Sequence, residues 1–390
     1  MKIVLISSAY HPYYRGGGEY SVKLLAEGLL RQGHTVRVIT AHEQASQEEI
    51  EGVFVYRIPH PNIYWSYRGA DKPGWQKLLW HTIESYNVRV ATLIKPVLEQ
   101  EQPDVVHIRN VEDFSPYVGR VASDLGIPVL VTLNSYTWLC PKATMFRSGH
   151  NCLKQCRDCR LITYPKKYLS QYVDSVVGVS RFMIDAHRRA GYFLQARTDV
   201  VYTSAQPQPR IPTEPDRAIR FGYIGRIHPT KGVYEVIQAF LALAPGAALH
   251  IAGDGPEEYV QQCKTLSNSH PDIYFLGKVA APDFYQQVDV VLVSSLWNEP
   301  FPRVLVEAYS YGKPVIASRT GGTAEKVVSE RTGFLFDPRD QQQLLEHMRA
   351  FAQMDHSQRV AMQEEVITYL KEEFPDEVQQ YVSLYQSLLD

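Results

Sequence analysis

Ala205-Gln206-Pro207-Gln208-Pro209-Arg210-Ile211-Pro212-Thr213-Glu214-Pro215-Asp216-Arg217 sets four prolines among polar residues near the middle of the chain. Proline fixes φ and removes a donor, so this stretch cannot continue a helix or an interior strand and reads as a linker. The patterns on its two sides are alike. Before it, Lys2-Ser7, Thr35-Thr40, Val53-Ile58, Val105-Ile108, Val129-Leu133, Ser175-Val179 and Val200-Tyr202 are short and β-branched. Helical stretches such as Glu19 to Gln32 and Gln76 to Glu101 lie between them. After it, strands are expected at Arg220-Ile224, Ala248-Ala252, Ile273-Leu276, Val290-Ser294 and Pro314-Ser318, with helices near Val233-Ala244, Pro256-Asn268 and Gln341-Gln353. Strands apolar on both faces and separated by helices imply parallel sheets covered on both sides. The fold class is therefore α/β, with domains expected over 1–204 and 218–376.

At 390 residues the chain exceeds one ordinary core, which agrees with two domains. It is 45% apolar and 21% charged with a formal charge of −2, and it lacks the basic excess of a nucleic-acid binder. The apolar run Ile3-Ala9 is too short for a signal peptide, and no stretch has the length of a membrane span. The chain is expected in the cytosol, free or held peripherally at the inner face of a membrane.

The chemistry concentrates at loop-to-helix junctions. Glu299-Pro300-Phe301-Pro302-Arg303-Val304-Leu305-Val306-Glu307 reads as a loop turning into a helix, with Pro302 at its first position. Two carboxylates thus flank a helix start, whose N–H groups suit an anion. Carboxylates grip hydroxyls while amides hold phosphate, which points to a nucleotide sugar. Gly225-Arg226-Ile227-His228-Pro229-Thr230-Lys231-Gly232 follows a strand and brings two cations to a βα loop, suited to a departing diphosphate or simply to solvent. Gly253-Asp254-Gly255-Pro256 and Gly321-Gly322 also end strands and read equally well as turns. In the first half, Arg15-Gly16-Gly17-Gly18-Glu19 precedes a helix but lacks the dinucleotide spacing, since Ser21 stands where a third glycine belongs.

These segments, together with Gly33-His34-Thr35-Val36, Pro103-Asp104-Val105-Val106-His107, Gly312-Lys313-Pro314-Val315-Ile316-Ala317 and Thr332-Gly333-Phe334-Leu335, resemble glycosyltransferase family 4 nearly end to end. The resemblance implies the GT-B fold, two Rossmann-like domains facing across a cleft, and retaining transfer of a hexose from a nucleotide-diphosphate sugar. The acceptor would be a glycan, a lipid-linked sugar or a small molecule, in polysaccharide or glycoconjugate synthesis. It implies that Arg226 and Lys231 contact the diphosphate, Glu307 the ribose and Glu299 the transferred sugar. Gly16, Gly17, Gly225, Gly253, Asp254, Phe301, Pro302 and Arg303 would complete the donor site. The N-terminal domain would take the acceptor, with His107, Asn134 and Ser135 near the sugar, and residues 377–390 would pack back on it. No cofactor is expected for catalysis.

Three departures stand out. Asn134-Ser135 replaces the histidine usual after that strand, Pro302 replaces a common glycine, and Tyr202-Thr203-Ser204-Ala205 replaces an Asn-Gly turn. They keep two rivals open: a catalytically weakened nucleotide-sugar-binding partner, and a sugar-nucleotide epimerase.

Cys140, Cys152, Cys156 and Cys159 are separated by eleven, three and two residues. They could close a structural zinc site, with His150 as an extra ligand, or remain thiols or a labile disulfide. A subset of the resembled family carries a similar cysteine-rich insertion. The Cys152-x-x-x-Cys156-x-x-Cys159 spacing also fits an iron–sulfur site, but its place after a strand of an α/β chain does not. Cys263 is expected in the core. Tyr10, Tyr13, Tyr14, Tyr64, Trp65, Tyr67, Trp75 and Trp80 could stack on sugars, meet lipid or pack under loops. The helical stripe Trp75, Leu78, Leu79, Ile83 is expected to face the core.

Overall fold

The computed structural model describes residues 1–14, 16–69, 71–209 and 217–390, so positions 210–216 of the expected linker lie outside the described residues. In chain order the elements begin with β1 (Lys2–Ser7), α1 (Gly17–Arg31), β2 (Thr35–His42), β3 (Ser46–Ile50), β4 (Val53–Pro59), α2 (Gly74–Ser85), α3 (Arg89–Glu101), β5 (Val105–Ile108), α4 (Tyr117–Asp124) and β6 (Val129–Leu133). Then come β7 (Phe146–Arg147), β8 (His150–Asn151), α5 (Arg157–Leu169), β9 (Ser175–Gly178), α6 (Arg181–Arg189) and β10 (Arg197–Val200). After the linker follow β11 (Ile219–Ile224), α7 (Val233–Leu241), β12 (Ala247–Ala252), α8 (Glu257–Ser267), β13 (Ile273–Gly277), α9 (Ala281–Gln287) and β14 (Val290–Val293). The chain continues with α10 (Arg303–Ser310), β15 (Val315–Ser318), β16 (Gly333–Phe336), α11 (Gln341–Gln353), α12 (His356–Glu373) and α13 (Glu377–Leu389).

The chain divides into two compact units. Unit 1 comprises Met1–Met145, Cys152–Tyr202 and Glu377–Asp390; unit 2 comprises Phe146–Asn151 and Thr203–Asp376. Unit 1 is built on a sheet in the order β10-β9-β6-β5-β1-β2-β4-β3, parallel except where β3 runs against β4. β1, β5 and β6 are buried along nearly their whole length, because helices cover both faces. Helix α1 presents Val22, Leu25, Ala26 and Leu29 at helical spacing to Ile3, Leu5 and Val38.

The C-terminal helix α13 belongs to this core. Tyr381 and Tyr385 are fully buried, and Val378 packs where a side chain at Gly28 would have to stand. Their phenols enter a buried polar network. His107 Nδ1 is 2.6 Å from the Tyr385 hydroxyl and Nε2 is 2.8 Å from Thr132 Oγ1. Arg109 Nη1 donates to the Tyr381 hydroxyl at 2.8 Å.

Unit 2 is an all-parallel sheet in the order β13-β12-β11-β14-β15-β16. Chain order reverses beside β11, which has β12 on one side and β14 on the other. The crossovers leaving the carboxyl ends of β11 and β14 therefore run to opposite sides of the sheet, and this switch point is the usual ligand position of an open α/β sheet.

Five details differ from the expectations above. The stretch from 76 to 101 is two helices. Asn87 interrupts it by donating its N–H to Ser115 Oγ and capping Arg89 N–H with its side chain. The strand expected at 200–202 lies at Arg197–Val200, and Pro302 stands just before α10 instead of in its first turn. Three elements carry no hydrophobic signal that the sequence pattern could use. These are the polar edge strand β3 and the two-residue strands of the β7–β8 hairpin, whose turn residues Ser148 and Gly149 both have positive φ. The stripe on α2 faces outward: Trp75 is 66% exposed, Leu78 55% and Leu79 43%.

Candidate functional site

The switch point beside β11 gathers most of the residues singled out from sequence. The β11 loop runs from Gly225 through a short 3-10 turn, Pro229–Lys231, into α7. His228 shapes this turn by accepting from Thr230 N–H at its Nδ1. The β14 loop is fastened alongside it, with Leu296 N–H donating to Thr230 O at 2.8 Å and Ser294 Oγ donating to Lys231 O at 2.8 Å.

Across these two loops Lys231 Nζ meets Glu299 Oε1 at 2.5 Å, and Ser295 Oγ donates to the same oxygen. The Glu299 side chain is only 8% exposed, so its charge is stabilised by the ammonium and the hydroxyl instead of by bulk water. Both contacts use Oε1, which leaves Oε2 to accept from a ligand. Lys231 also lies 5.8 Å from the centre of the Trp297 ring. Its ammonium carries three donors and spends one on Glu299.

Arg226 is exposed on the same loop, and its carbonyl accepts from the Tyr223 hydroxyl at 2.8 Å. The electrostatics tie these groups together. Tyr223 is pushed up by burial and then by the Glu299 charge, with Arg226 opposing; His228 is pushed down by burial and then by Arg226 and Lys231. Arg226, Lys231 and Glu299 thus act on neighbouring groups, as a cationic end with a carboxylate beside it.

Glu307 lies one turn into α10. Its Oε2 accepts from the Tyr285 hydroxyl at 3.2 Å and its Oε1 is 3.5 Å from Arg303 Nε. Tyr285 stacks on Tyr311 with centroids 4.8 Å apart, giving this carboxylate an aromatic wall that sequence spacing did not reveal. Phe301 is buried and faces Phe374 at 6.3 Å, so it packs under the loop, and Pro302 caps the approach to α10.

The two glycine segments have structural duties. A Cβ on Gly253 would meet Gly225 O at 1.8 Å, so the β11 and β12 loops touch backbone to backbone and both glycines are required. A Cβ on Gly321, at φ 50°, would meet Glu299 O at 2.1 Å, and Gly322 N–H donates to that carbonyl at 2.9 Å. Asp254 is turned to the surface, where it pairs with Lys278 at 2.8 Å.

Unit 1 brings a second set together. Gly16 precedes α1 with open space where a side chain would be, and Gly17 opens the helix. A Cβ on Gly18 would sit 3.6 Å from Asn134 Nδ2, which joins the glycine loop to the end of β6. Ser135 Oγ is 3.2 Å from Thr137 Oγ1. His107 does not belong to this set. It is buried with both ring nitrogens bonded, and burial holds it well below its ordinary pKa, so it is a neutral core residue and not a sugar contact.

In the cysteine cluster Cys140 and Cys156 both lie against the Cys159 thiol. Cys159 Sγ lies 3.9 Å from Cys140 Sγ, and Cys159 N–H is 3.5 Å from Cys156 Sγ. The Cys159 thiol, helped by the backbone N–H groups of Met145, Lys142 and Thr144 and opposed by burial, brings Cys140 down to about 5. Among the described residues no group of three or more His, Cys, Asp or Glu side chains is placed to hold a metal ion. Cys263 is buried in unit 2, as expected.

Next to this cluster, α5 exposes Leu161, Tyr164 and Tyr168, flanked by Arg157, Arg160 and Lys167, over a groove of about 590 Å³. Helix α2, with its outward Trp75, Leu78 and Leu79, is joined to α5 by the buried Lys166–Glu84 pair at 2.5 Å. Among the described residues no helix is long and apolar enough to cross a membrane.

Comparison with known proteins agrees with this architecture. Residues 16–204 match the family described as Glycosyl transferase 4-like domain, and residues 205–368 match Glycosyl transferases group 1. An uncharacterized 42.6 kDa protein in the cps region of Klebsiella pneumoniae is 31% identical over 83% of this chain and 87% of its own. An uncharacterized glycosyltransferase of Methanocaldococcus jannaschii is 26% identical over 87% of this chain and 86% of its own. Among solved structures, Anabaena HepE in complex with UDP superposes with a TM-score of 0.74 at 19% identity, over 99% of this chain and 100% of that one.

Proposed function

Because the chain belongs to the group 1 glycosyltransferases and has their GT-B fold, we propose that it is a retaining hexosyltransferase of polysaccharide or glycoconjugate synthesis. Unit 2 would bind the nucleotide-diphosphate sugar and unit 1 the acceptor. The Lys231–Glu299 pair at the switch point of the unit 2 sheet carries this reading. The UDP of the HepE complex and the cps location of the Klebsiella relative add support for a nucleotide-sugar donor and a glycan product.

In the proposed reaction the bond from the sugar C1 to the diphosphate oxygen breaks and one to the acceptor oxygen forms on the same face. The acceptor proton passes to the departing phosphate, so no protein nucleophile is needed. Lys231 and Arg226 stabilise the negative charge that grows on the diphosphate. A preorganised group of this kind is worth about 3 kcal/mol in the transition state. Glu299 Oε2 accepts from a hydroxyl of the transferred sugar, and Glu307 from the ribose. In unit 1 the α1 N-terminus at Gly16 and Gly17, with Asn134 and Ser135, would serve the acceptor side of the reaction; Asn134 supplies an amide where the family has an imidazole. The exposed apolar and basic faces of α2 and α5 would rest on an anionic membrane surface and present a lipid-linked acceptor.

A thermal-shift panel of nucleotide sugars tests the proposal. The right donor at 100 times its Kd adds about 2.7 kcal/mol of stability. Transfer to acceptor with retention of the anomeric configuration, read by NMR, must follow. Donor isomerisation without acceptor, or binding without turnover, would overturn it.

A further inference from the structure

We propose that Asn151, carried on the β7–β8 hairpin, is a positioning residue that sets the sugar-reading half of the donor site by holding Glu299 in place; this rests on the assignment of Glu299 to the transferred sugar.

The hairpin lies in sequence within the cysteine-rich insertion of unit 1, yet Phe146–Asn151 belongs to unit 2 while Met145 and Cys152 on either side belong to unit 1. Its base is closed by Cys152 N–H donating to Met145 O at 2.7 Å, and Asn151 stands opposite Phe146. The Asn151 side chain makes two hydrogen bonds to the backbone of the β14 loop. Its Nδ2 donates to Leu296 O at 3.0 Å and its Oδ1 accepts from Asn298 N–H at 2.7 Å.

A primary amide carries an N–H donor and a carbonyl acceptor side by side on one planar group, so it can bond a backbone C=O and a nearby N–H at once, and the residue type fits the task. The clasped segment, Leu296 to Asn298, ends at Glu299. On its far side Asn298 Oδ1 accepts from Gly321 N–H at 3.2 Å and Glu299 O accepts from Gly322 N–H at 2.9 Å. Asn151 therefore supplies one of several clamps on this loop. Without it the loop keeps its attachments to Thr230, Gly321 and Gly322 but loses the Asn151 hold on Leu296 O and Asn298 N–H. The Glu299 carboxylate, whose Oε1 is committed to Lys231 and Ser295, depends on that loop to aim Oε2. Glu307 sits on α10 and is untouched by the clasp, so nucleotide binding should be independent of it.

The test uses the full chain with Asn151→Ala, Asn151→Asp, Glu299→Gln and the Asn151→Ala/Glu299→Gln double variant. Each is titrated with UDP-glucose, UDP-galactose, UDP-N-acetylglucosamine and GDP-mannose, and with UDP and GDP alone. Asn151→Ala is expected to weaken the nucleotide sugar that the unaltered protein binds by about tenfold, the size of two lost hydrogen bonds, and to leave its nucleoside diphosphate unchanged. Asn151→Asp keeps the acceptor for Asn298 N–H and should lose less. The double variant should be no weaker than Glu299→Gln alone, the mark of two residues acting through one group.

Equal losses for nucleotide and nucleotide sugar in Asn151→Ala would overturn the inference, as would no loss while Glu299→Gln weakens the sugar. If Glu299→Gln itself leaves sugar binding unchanged, or if none of these sugars binds, the donor assignment fails and the inference falls with it.

Discussion

Lys231 and Glu299 are each other's ligands, 68 residues apart in sequence and 2.5 Å apart across the loops that leave β11 and β14. The cation that would face the diphosphate is thus already held by the carboxylate that would face the sugar, and the two functions share one anchor. Lys231→Ala should lower kcat/KM about 100-fold, and Glu299→Gln by a similar factor. The double variant should lose far less than the product of the two, because each single change already breaks the shared pair. Steady-state kinetics of all three check this; multiplicative losses would separate the residues into independent roles.

Glu307 and its aromatic wall would answer to a different part of the donor. Glu307→Ala should raise the Kd for the nucleoside diphosphate about tenfold, near 1.4 kcal/mol, with a smaller rise for Tyr285→Phe. Titration calorimetry with UDP or GDP reads both. An unchanged Kd in Glu307→Ala would remove the ribose assignment.

Acid should open unit 1. Burial, with the Lys166 charge adding, brings His81 down to about 4, burial alone brings His187 to about 4, and His107 is held well below its usual value. His187 Nδ1 donates to Met183 O at 2.8 Å while Nε2 has no partner among the described residues, as a neutral ring requires. Between pH 6.5 and 4 the unfolded chain binds more protons than the folded one. Stability is therefore complete above 6.5 and lost as pH falls toward 4. The slope is about 1.4 kcal/mol per pH unit for each histidine. Urea unfolding of unit 1 at several pH values should show this slope, reduced in His187→Leu.

The Lys166–Glu84 pair is buried on both sides, and Lys166 Nζ also donates to Thr137 O at 2.9 Å. Removing one partner strands the other: Lys166→Met should cost about 3–5 kcal/mol. Adding Glu84→Leu should recover most of the loss, because a matched apolar pair needs no compensation. Denaturant midpoints of the single and double variants decide it.

Trp75 on α2 and Leu161 on α5 are largely exposed, at 66% and 79%. If these faces meet a membrane, the protein should co-sediment with vesicles of phosphatidylglycerol and phosphatidylethanolamine. Trp75→Asp with Leu161→Asp should reduce the bound fraction at least tenfold without changing donor binding. Equal recovery on vesicles would leave the patch without a lipid role.

Much of this was written in the sequence because the physics was local. Buried strands such as Val105–Ile108 and Val129–Leu133 announce themselves by unbroken β-branched runs, and the junctions at Lys231 and Glu299 by strand, loop and helix in order. What escaped depended on distant partners. The α2 stripe has the same periodicity whether its face is covered or bare, and nothing local says which. His107 sits in a family motif, yet Tyr385, hundreds of residues later, decides that it is a core residue. The β7–β8 hairpin has too few residues to show a period, and the hold of Asn151 on Leu296 joins segments with no common pattern. The cysteine spacing is zinc-like, but only the folded chain shows that Cys140 and Cys156 converge on Cys159.

Because Tyr381 and Tyr385 of α13 supply the phenols that complete the buried network around His107 and Arg109, the half of the protein made first on the ribosome is the last to be finished. Its interior stays open until residues 377–389 have emerged, by which time all of unit 2 has been synthesised and can already have closed. Translation arrested after residue 376 should therefore yield a protease-resistant unit 2 attached to a loose, chaperone-dependent unit 1.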